Sequence, residues 1–307
     1  MLVDDIIAGV ELGGTKAVAV LARGQTILGK TQIPTTNPKD TLGALRAQLA
    51  QWQSGSGFSA LGIGSFGPLR VGSEYADYGS ILSTPKPGWS GVNVAQELTA
   101  GLGRPWMIDT DVNGAALAEA WWGAGQGVKS LCYITIGTGI GGGFLIRGMP
   151  IHGALHPEIG HLRLGCQHED RFLGICPFHG NCVEGLFSGA ALKARFGVPA
   201  EQVSVDDPRW PPIISGLAEL FATIILMASP QKILVGGGVG LGLPFLVERA
   251  RDSVPGLLGG YLPTITEETI RSVIASPGLG ANAGPLGAIA LGKLALDEAR
   301  SKVRKES

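Results

Sequence analysis

One pattern occurs twice in this chain and constrains its fold more than any other: an apolar run, a glycine-threonine turn, and a second apolar run. The first copy runs from Ile6 to Val10, turns through Glu11-Leu12-Gly13-Gly14-Thr15-Lys16, and continues from Ala17 to Leu21. The second runs from Ser130 to Ile136, turns through Gly137-Thr138-Gly139-Ile140-Gly141-Gly142-Gly143, and continues from Phe144 to Ile146. Each reads as a β-hairpin with a glycine tip. Such a tip lets backbone N–H groups approach a phosphate while threonine adds a hydroxyl, although either tip alone also reads as an ordinary tight turn. Two copies in two halves suggest two related domains facing one another, each lending a loop to the cleft between them.

The composition agrees with two buried cores, since 45% of the 307 residues are hydrophobic and only 16% are charged. With 24 basic against 25 acidic residues, the net charge of -1 offers no electrostatic footprint for nucleic acid or an anionic membrane. A small-molecule partner is expected. Asp4 and Asp5 stand where a secretory signal would be basic. The apolar stretch Ile213 to Ser229, bracketed by Pro212 and Pro230, reads as a buried helix rather than a membrane span. Three of the four cysteines crowd beside histidines, which suits a metal site in a reducing compartment, the cytoplasm.

Taken in order, the chain shows a helix from about Pro38 with Leu42, Leu45, Leu49 and Trp52 on one face, and a strand from Ala60 to Phe66 broken by Gly67-Pro68. A rigid loop, Ser83 to Trp89, precedes a helix at Val94 to Leu102. A strand from Pro105 to Ile108 then reaches Asp109-Thr110-Asp111-Val112-Asn113, with a helix expected over Gly114 to Trp122. Open α/β sheets bind ligands at such strand ends, and a helix N-terminus favours an anion; a plain helix cap is the alternative. Further on come helices at Val183 to Phe196 and Pro211 to Ser229, and a strand at Lys232 to Val235 ending in Gly236-Gly237-Gly238-Val239. A strand at Ile270 to Ala275, a helix at Pro285 to Ala299 and a charged, frayed tail from Ser301 complete the pattern.

The segment His156 to Gly185 holds four of the five histidines. Cys176-x-x-His179-x-x-Cys182 supplies three metal ligands from one compact loop, leaving His161, Cys166 and His168 as candidates for the fourth. Sulfur and nitrogen donors in a closed four-ligand shell suit structural Zn²⁺.

These pieces, in this order, resemble the ROK sugar kinases. The resemblance is carried by Glu11-x-Gly-Gly-Thr-Lys16, Thr110-Asp111-x-Asn113, Gly137-Thr-Gly-Ile-Gly-Gly142, His156-Pro-Glu-Ile-Gly-His161, Cys176 to Gly185, and Gly236-Gly-Gly-Val239. Within the family, Gly64-Ser65-Phe66-Gly67-Pro68, Thr84-Pro85-Lys86 with Gly88-Trp89, and Cys176-Pro-Phe-His-Gly180 look most like the zinc-containing bacterial fructokinases. The resemblance implies an α/β, two-domain actin-like ATPase (ribonuclease H-like) fold with an interdomain cleft. Residues 1–115 plus 289–307 would form the small domain and residues 116–288 the large one, which carries the zinc segment.

The activity implied is ATP-dependent phosphorylation of fructose at its 6-hydroxyl. A kinase for mannose or glucose, or a non-catalytic sugar-sensing regulator, are the alternatives. The first motif begins at Glu11, leaving no room for an N-terminal helix-turn-helix, and this argues against the regulator. By position, the resemblance makes Asp111 the catalytic base. It assigns Gly67, Lys86, Trp89, Thr110, Asn113, Glu158, His161 and Glu184 to the sugar. Gly13, Gly14, Thr15, Lys16, Gly137, Thr138, Gly139, Gly236, Gly237 and Gly238 fall to the nucleotide. It selects His161 as the fourth zinc ligand beside Cys176, His179 and Cys182, gives Glu11 to Mg²⁺ through water, and implies a homodimer. Two positions depart from the wider family: Glu11 stands where many members have Asp, and Thr110 where Asn is usual. His152 and His156 receive no role.

Overall fold

The computed structural model describes residues 5–165 and 170–306. Both hairpins form, and each seeds a five-stranded sheet. Strand β1 (Ile6–Leu12) pairs antiparallel with β2 (Lys16–Arg23), which pairs antiparallel with β3 (Thr26–Pro34). Beyond α1 (Pro38–Ser54), β4 (Ala60–Ser65) adds parallel to β1; beyond α2 (Val94–Thr99), β5 (Trp106–Thr110) adds parallel to β4. The order is β3-β2-β1-β4-β5.

Helix α3 (Asp111–Trp122) leads into the second half, where β6 (Ser130–Ile136), β7 (Ile140–Ile146) and the short β8 (Met149–Pro150) are antiparallel neighbours. Helices α4 (Val183–Phe187), α5 (Gly189–Phe196) and α6 (Trp210–Ala228) precede β9 (Lys232–Gly236), which adds parallel to β6. Then α7 (Gly237–Gly242), α8 (Pro244–Leu258) and α9 (Ile270–Val273) lead to β10 (Ile274–Ala275), parallel to β9, and α10 (Ala283–Glu306) closes the chain. The second order, β10-β9-β6-β7-β8, repeats the plan of the first. The sequence repeat is therefore a repeat of topology, with parallel strand ends of both sheets directed at one cleft.

Local chemistry accounts for the elements. β1 and β4 are buried almost throughout, as central strands covered on both faces must be, whereas β3 alternates exposed with half-buried residues as a sheet edge. Helix α1 starts where the Asn37 side chain accepts from Asp40 N and Pro38 supplies a pre-set φ; its Leu42, Leu45 and Leu49 are buried. Helix α6 is long and apolar enough to cross a membrane, with a mean hydropathy of 1.7, yet Ile213, Leu217, Leu220, Phe221 and Ile224 lie in the second core.

Several boundaries differ from the sequence reading. β5 continues to Thr110, so Asp111 is the first residue of α3. The single helix expected over Val183 to Phe196 is broken at Ser188, whose side chain caps α5 by accepting from Ala191 N. Only the last two residues of the expected strand at Ile270 to Ala275 pair, and the first four coil as α9. The chain from Ser301 to Glu306 stays helical rather than frayed. Residues 115/116 lie within α3 and residues 288/289 within α10.

Helix α10 packs on β1, β4 and α3, and glycine makes the approach possible. A Cβ on Gly62 would overlap Ala288 O and Gly292 N, both backbone atoms that no rotamer change can move. Gly62→Ala should therefore destabilise the fold by on the order of 3 kcal/mol, read as a lower urea midpoint with an unchanged slope.

Candidate active site

The two glycine turns meet. In the first, Gly13 N donates to Lys16 O at 3.0 Å, and Thr35 braces the loop through Oγ1 to Gly13 O (2.8 Å) and N to Thr15 O (3.0 Å). In the second, Gly137 N donates to Gly139 O at 2.9 Å, Gly189 N at the start of α5 donates to Gly137 O at 2.7 Å, and Ile140 N donates to Glu184 Oε2 at 3.0 Å. Thr15 Oγ1 and Thr138 Oγ1 are 2.9 Å apart, joining the tips. The third glycine run also arrives here: a Cβ on Gly137 would lie 3.9 Å from Gly238 N, and Gly237 takes a φ of 82° against the Ile136 backbone, where any side chain would collide. Three glycine motifs spread over more than two hundred residues thus line one space, with exposed N–H groups and hydroxyls that suit phosphate.

Below the tips lies a row of acids. Asp111 is half-buried at the N-terminus of α3, and its Oδ1 accepts from Val112 N at 2.9 Å. Burial, then the charge of Glu11, push its pKa up to about 7 despite that backbone bond, with Glu158 adding to the shift. Burial likewise raises Glu11 at the end of β1, partly offset by Lys16 and Lys30. Glu158 is raised to about 7 by burial and by Glu184. Asp111 thus feels Glu11 and Glu158 across the floor of the cleft, and Glu158 feels Glu184.

Two histidines absent from the sequence-level assignment hold this floor in place. His156 is buried and its Nε2 accepts from Leu69 N at 3.0 Å, so that nitrogen is unprotonated. Burial keeps its pKa below the usual histidine value, and its other nitrogen lies 3.5 Å from Glu158 Oε1. The neutral ring ties the Gly67-Pro68-Leu69 loop to the Glu158 turn; Gly67 leaves just enough room, since a Cβ there would stand 3.1 Å from Glu158 Oε1. His152 Nε2 meets Asp109 Oδ2 at 2.9 Å, and this hydrogen bond raises the histidine's pKa. Neither residue shows a spacing signal, because their partners come from distant strands.

Four residues expected at the sugar are occupied elsewhere. Thr110 is buried and caps α3 by accepting from Asn113 N at 3.2 Å. Asn113 is fully buried, with Nδ2 on Asp109 Oδ1 at 2.8 Å. Both steady the entry to α3 that carries Asp111, and Asn113 Oδ1 has no partner among the described residues. Trp89 is 0% exposed, donates from Nε1 to Thr36 O at 2.8 Å, and packs edge-on against Phe66. It anchors the loop of residues 83–90. Lys86 projects from that loop onto the first glycine turn, donating from Nζ to Gly14 O and Thr35 O. Of the remaining residues, Gly67 and Glu158 stand together at the floor, while Glu184 has one oxygen committed to Ile140 N.

The metal-ligating residues converge. His161, Cys176, His179 and Cys182 place one donor atom each within 4.8 Å of one another. Cys176 Sγ lies 3.8 Å from His161 Nδ1 and 3.7 Å from His179 Nδ1, and Cys182 Sγ lies 3.6 Å from His161 Nδ1. A tetrahedral ion with sulfur at about 2.3 Å and nitrogen at about 2.1 Å would separate such donors by about 3.6 Å, so the donor set fits. The rivals Cys166 and His168 lie outside the described residues. Cys182 also caps α4, its Sγ accepting from Gly185 N, and α4 carries Glu184 to the second glycine turn. The metal segment therefore reaches the phosphate side of the cleft as well as the side of Glu158.

Comparison with known proteins agrees with this geometry. The ROK family profile matches residues 7–294. The fructokinase of Zymomonas mobilis is 39% identical over 291 residues, covering 92% of this chain and 94% of its own. Among solved structures, a ROK hexokinase from Thermus thermophilus superposes with a TM-score of 0.75 at 28% identity, covering 95% of this chain and 99% of its own. A ROK family glucokinase from Streptomyces griseus, solved with glucose and AMPPNP, superposes with a TM-score of 0.72 at 25% identity, covering 94% of this chain and 99% of its own.

The raised carboxylate has a consequence for stability. Asp111 holds its proton more tightly when folded than the ordinary carboxylate of the unfolded chain, so its contribution falls as pH rises from about 4 to about 7 and stays lost above that. Asp111→Asn removes this cost. Its unfolding temperature should exceed that of the natural protein at pH 8, and the gap should close as pH drops below 5, measured by calorimetry across that range.

Proposed function

The chain belongs to the ROK family, and from that premise we propose that it is a fructokinase transferring the γ-phosphoryl of ATP to the 6-hydroxyl of fructose. The observation that carries the reading is the placement of Asp111, a carboxylate raised to about 7 at the head of α3, on the sheet whose first glycine turn meets the second. The match to the Zymomonas mobilis fructokinase along nearly the whole chain supports the choice of sugar. Thr110 adds to it, because its hydroxyl is spent on the helix cap and supplies no amide where glucose-type relatives usually have Asn.

Asp111 orients the attacking hydroxyl and accepts its proton as the phosphoryl group leaves ADP. A base of pKa near 7 is better matched to this task at neutral pH than an ordinary carboxylate. Glu158 and the His161 Nε2, which points away from the sulfurs, supply an acceptor and a donor for sugar hydroxyls, with Gly67 leaving room for the ring. The second oxygen of Glu184 faces the same task. The turns from Gly13 to Lys16 and from Gly137 to Gly139 cradle the phosphates, with the N–H groups of Gly13 and Gly137 closing the turns and Gly14 and Gly139 facing the ligand. Thr15 and Thr138 exchange their mutual bond for phosphate oxygens, and Lys16 lends charge. Gly236, Gly237 and Gly238 form the wall beside the nucleotide.

Mg²⁺ neutralises the phosphates when bound, and the buried Glu11 carboxylate suits its retention through water. His161, Cys176, His179 and Cys182 form a closed shell for structural Zn²⁺. Among the described residues, the unbridged cysteines Cys132, Cys176 and Cys182 suit the reducing cytoplasm. The first sheet with α10 forms the smaller unit and the second sheet the larger, and the active protein is a homodimer.

A panel of hexoses with Mg-ATP tests the assignment. Fructose should give the highest kcat/KM, and mannose or glucose outranking it would overturn the sugar choice. Asp111→Asn should lower kcat by about 1,000-fold with zinc content and circular dichroism unchanged; full activity would remove Asp111 as the base.

A further inference from the structure

Among the described residues Lys86 is an ammonium without a counter-charge, placed on the phosphate side of the cleft. Its loop is rigid. Trp89 is sealed in the core and bonded to Thr36 O, while Thr84 N donates to Ser90 Oγ at 3.1 Å and Ser90 Oγ donates to Thr84 O at 3.2 Å. From this support the lysine reaches Gly14 O and, at 3.4 Å, Thr35 O. Both acceptors are neutral carbonyls, and they leave one of the three N–H bonds of the ammonium unspent. Burial lowers its pKa, and no carboxylate offsets the shift. By contrast, Lys293 is paired with Asp297 on the outer surface. A partly desolvated cation held at the tip of a phosphate-binding turn gains from an arriving anion.

We infer that Lys86 is a catalytic residue that contacts the phosphoryl group as it passes from ATP to the sugar, rather than a sugar-binding side chain. This rests on the phosphoryl-transfer reading above. The bond from phosphorus to the ADP oxygen breaks, the bond to the sugar oxygen forms, and the sugar proton goes to Asp111. Lys86 stays protonated throughout and forms no covalent bond; it neutralises charge on the oxygens of the group in flight. Its carbonyl partners set its height above the turn, so the charge is in place before the nucleotide binds.

The alternative is a brace whose hydrogen bonds only hold the turn, and two variants of the full-length, metal-loaded protein separate the two. Lys86→Gln keeps a donor for Gly14 O and removes the charge; Lys86→Arg keeps the charge. As a phosphoryl-contacting cation, Lys86→Gln lowers kcat by about 100-fold while the KM for fructose stays within about threefold. It also weakens a non-hydrolysable ATP analogue about tenfold and leaves ADP affinity unchanged, whereas Lys86→Arg retains at least about a tenth of the natural kcat. A Lys86→Gln enzyme with natural kcat, or one impaired only in the KM for fructose, overturns the inference. So does Lys86→Arg losing as much activity as Lys86→Gln with an equal drop in unfolding temperature. If the natural protein phosphorylates no sugar from ATP, the functional reading itself fails, an outcome distinct from an active enzyme indifferent to Lys86→Gln.

Discussion

Four half-buried carboxylates gathered along one cleft floor are the constraint on which the rest of this structure depends. Glu11, Asp111, Glu158 and Glu184 come from the end of β1, the start of α3, the turn before His161 and the short helix α4. Burial raises the first three, and neighbouring carboxylates add to the shift at Asp111 and Glu158, so no single element would hold them together unaided. Much of the surrounding architecture meets that cost. Gly64 lets β4 pass within van der Waals reach of the Asp111 backbone, and Gly284 leaves room for the Glu11 carboxylate beside α10. Neutral His156 closes the loop over Glu158, and buried Asn113 and Asp109 lock the entry to α3. A floor of this kind favours protons and cations, which is what a phosphoryl-transfer site handles.

The metal segment belongs to this arrangement through a short covalent path. Cys182 is both a donor in the metal cluster and the cap of α4, and two residues later Glu184 grips Ile140 N in the second glycine turn. Order at the metal is thereby passed to the phosphate side, while His161 and Glu158 pass it to the side facing the acids. The first turn has a parallel support in Thr35 and Lys86, both from its own half of the chain. Each half of the cleft is thus stiffened from behind by its own polar brace, and the two glycine tips meet through Thr15 and Thr138.

Much of this was legible in the sequence, for a physical reason. Glycine turns after apolar runs, Cys-x-x-His-x-x-Cys spacing and a strand ending in Asp111 are local patterns whose chemistry does not depend on distant partners. The duplicated hairpin announced the duplicated topology. What stayed hidden depends on side-chain direction. Thr110 and Asn113 flank Asp111 in sequence, yet β5 runs on to Thr110 and α3 begins at once, so both turn inward as cap and buried partner. Trp89 looked like a sugar platform and is a core anchor, because the loop it sits on folds back onto Thr36. His152 and His156 offered no spacing at all; their partners, Asp109 and Leu69, lie 43 and 87 residues away.

The desolvated acid row makes one quantity decisive: the pH dependence of kcat/KM for fructose, which reports ionisations of the free enzyme. With saturating Mg-ATP, the rate constant should climb with pH through a midpoint near pH 7, where Asp111 and Glu158 lose their protons. A profile flat from pH 8 down to pH 5 would mean that both carboxylates ionise like ordinary solvated acids, and would contradict a catalytic floor built by burial.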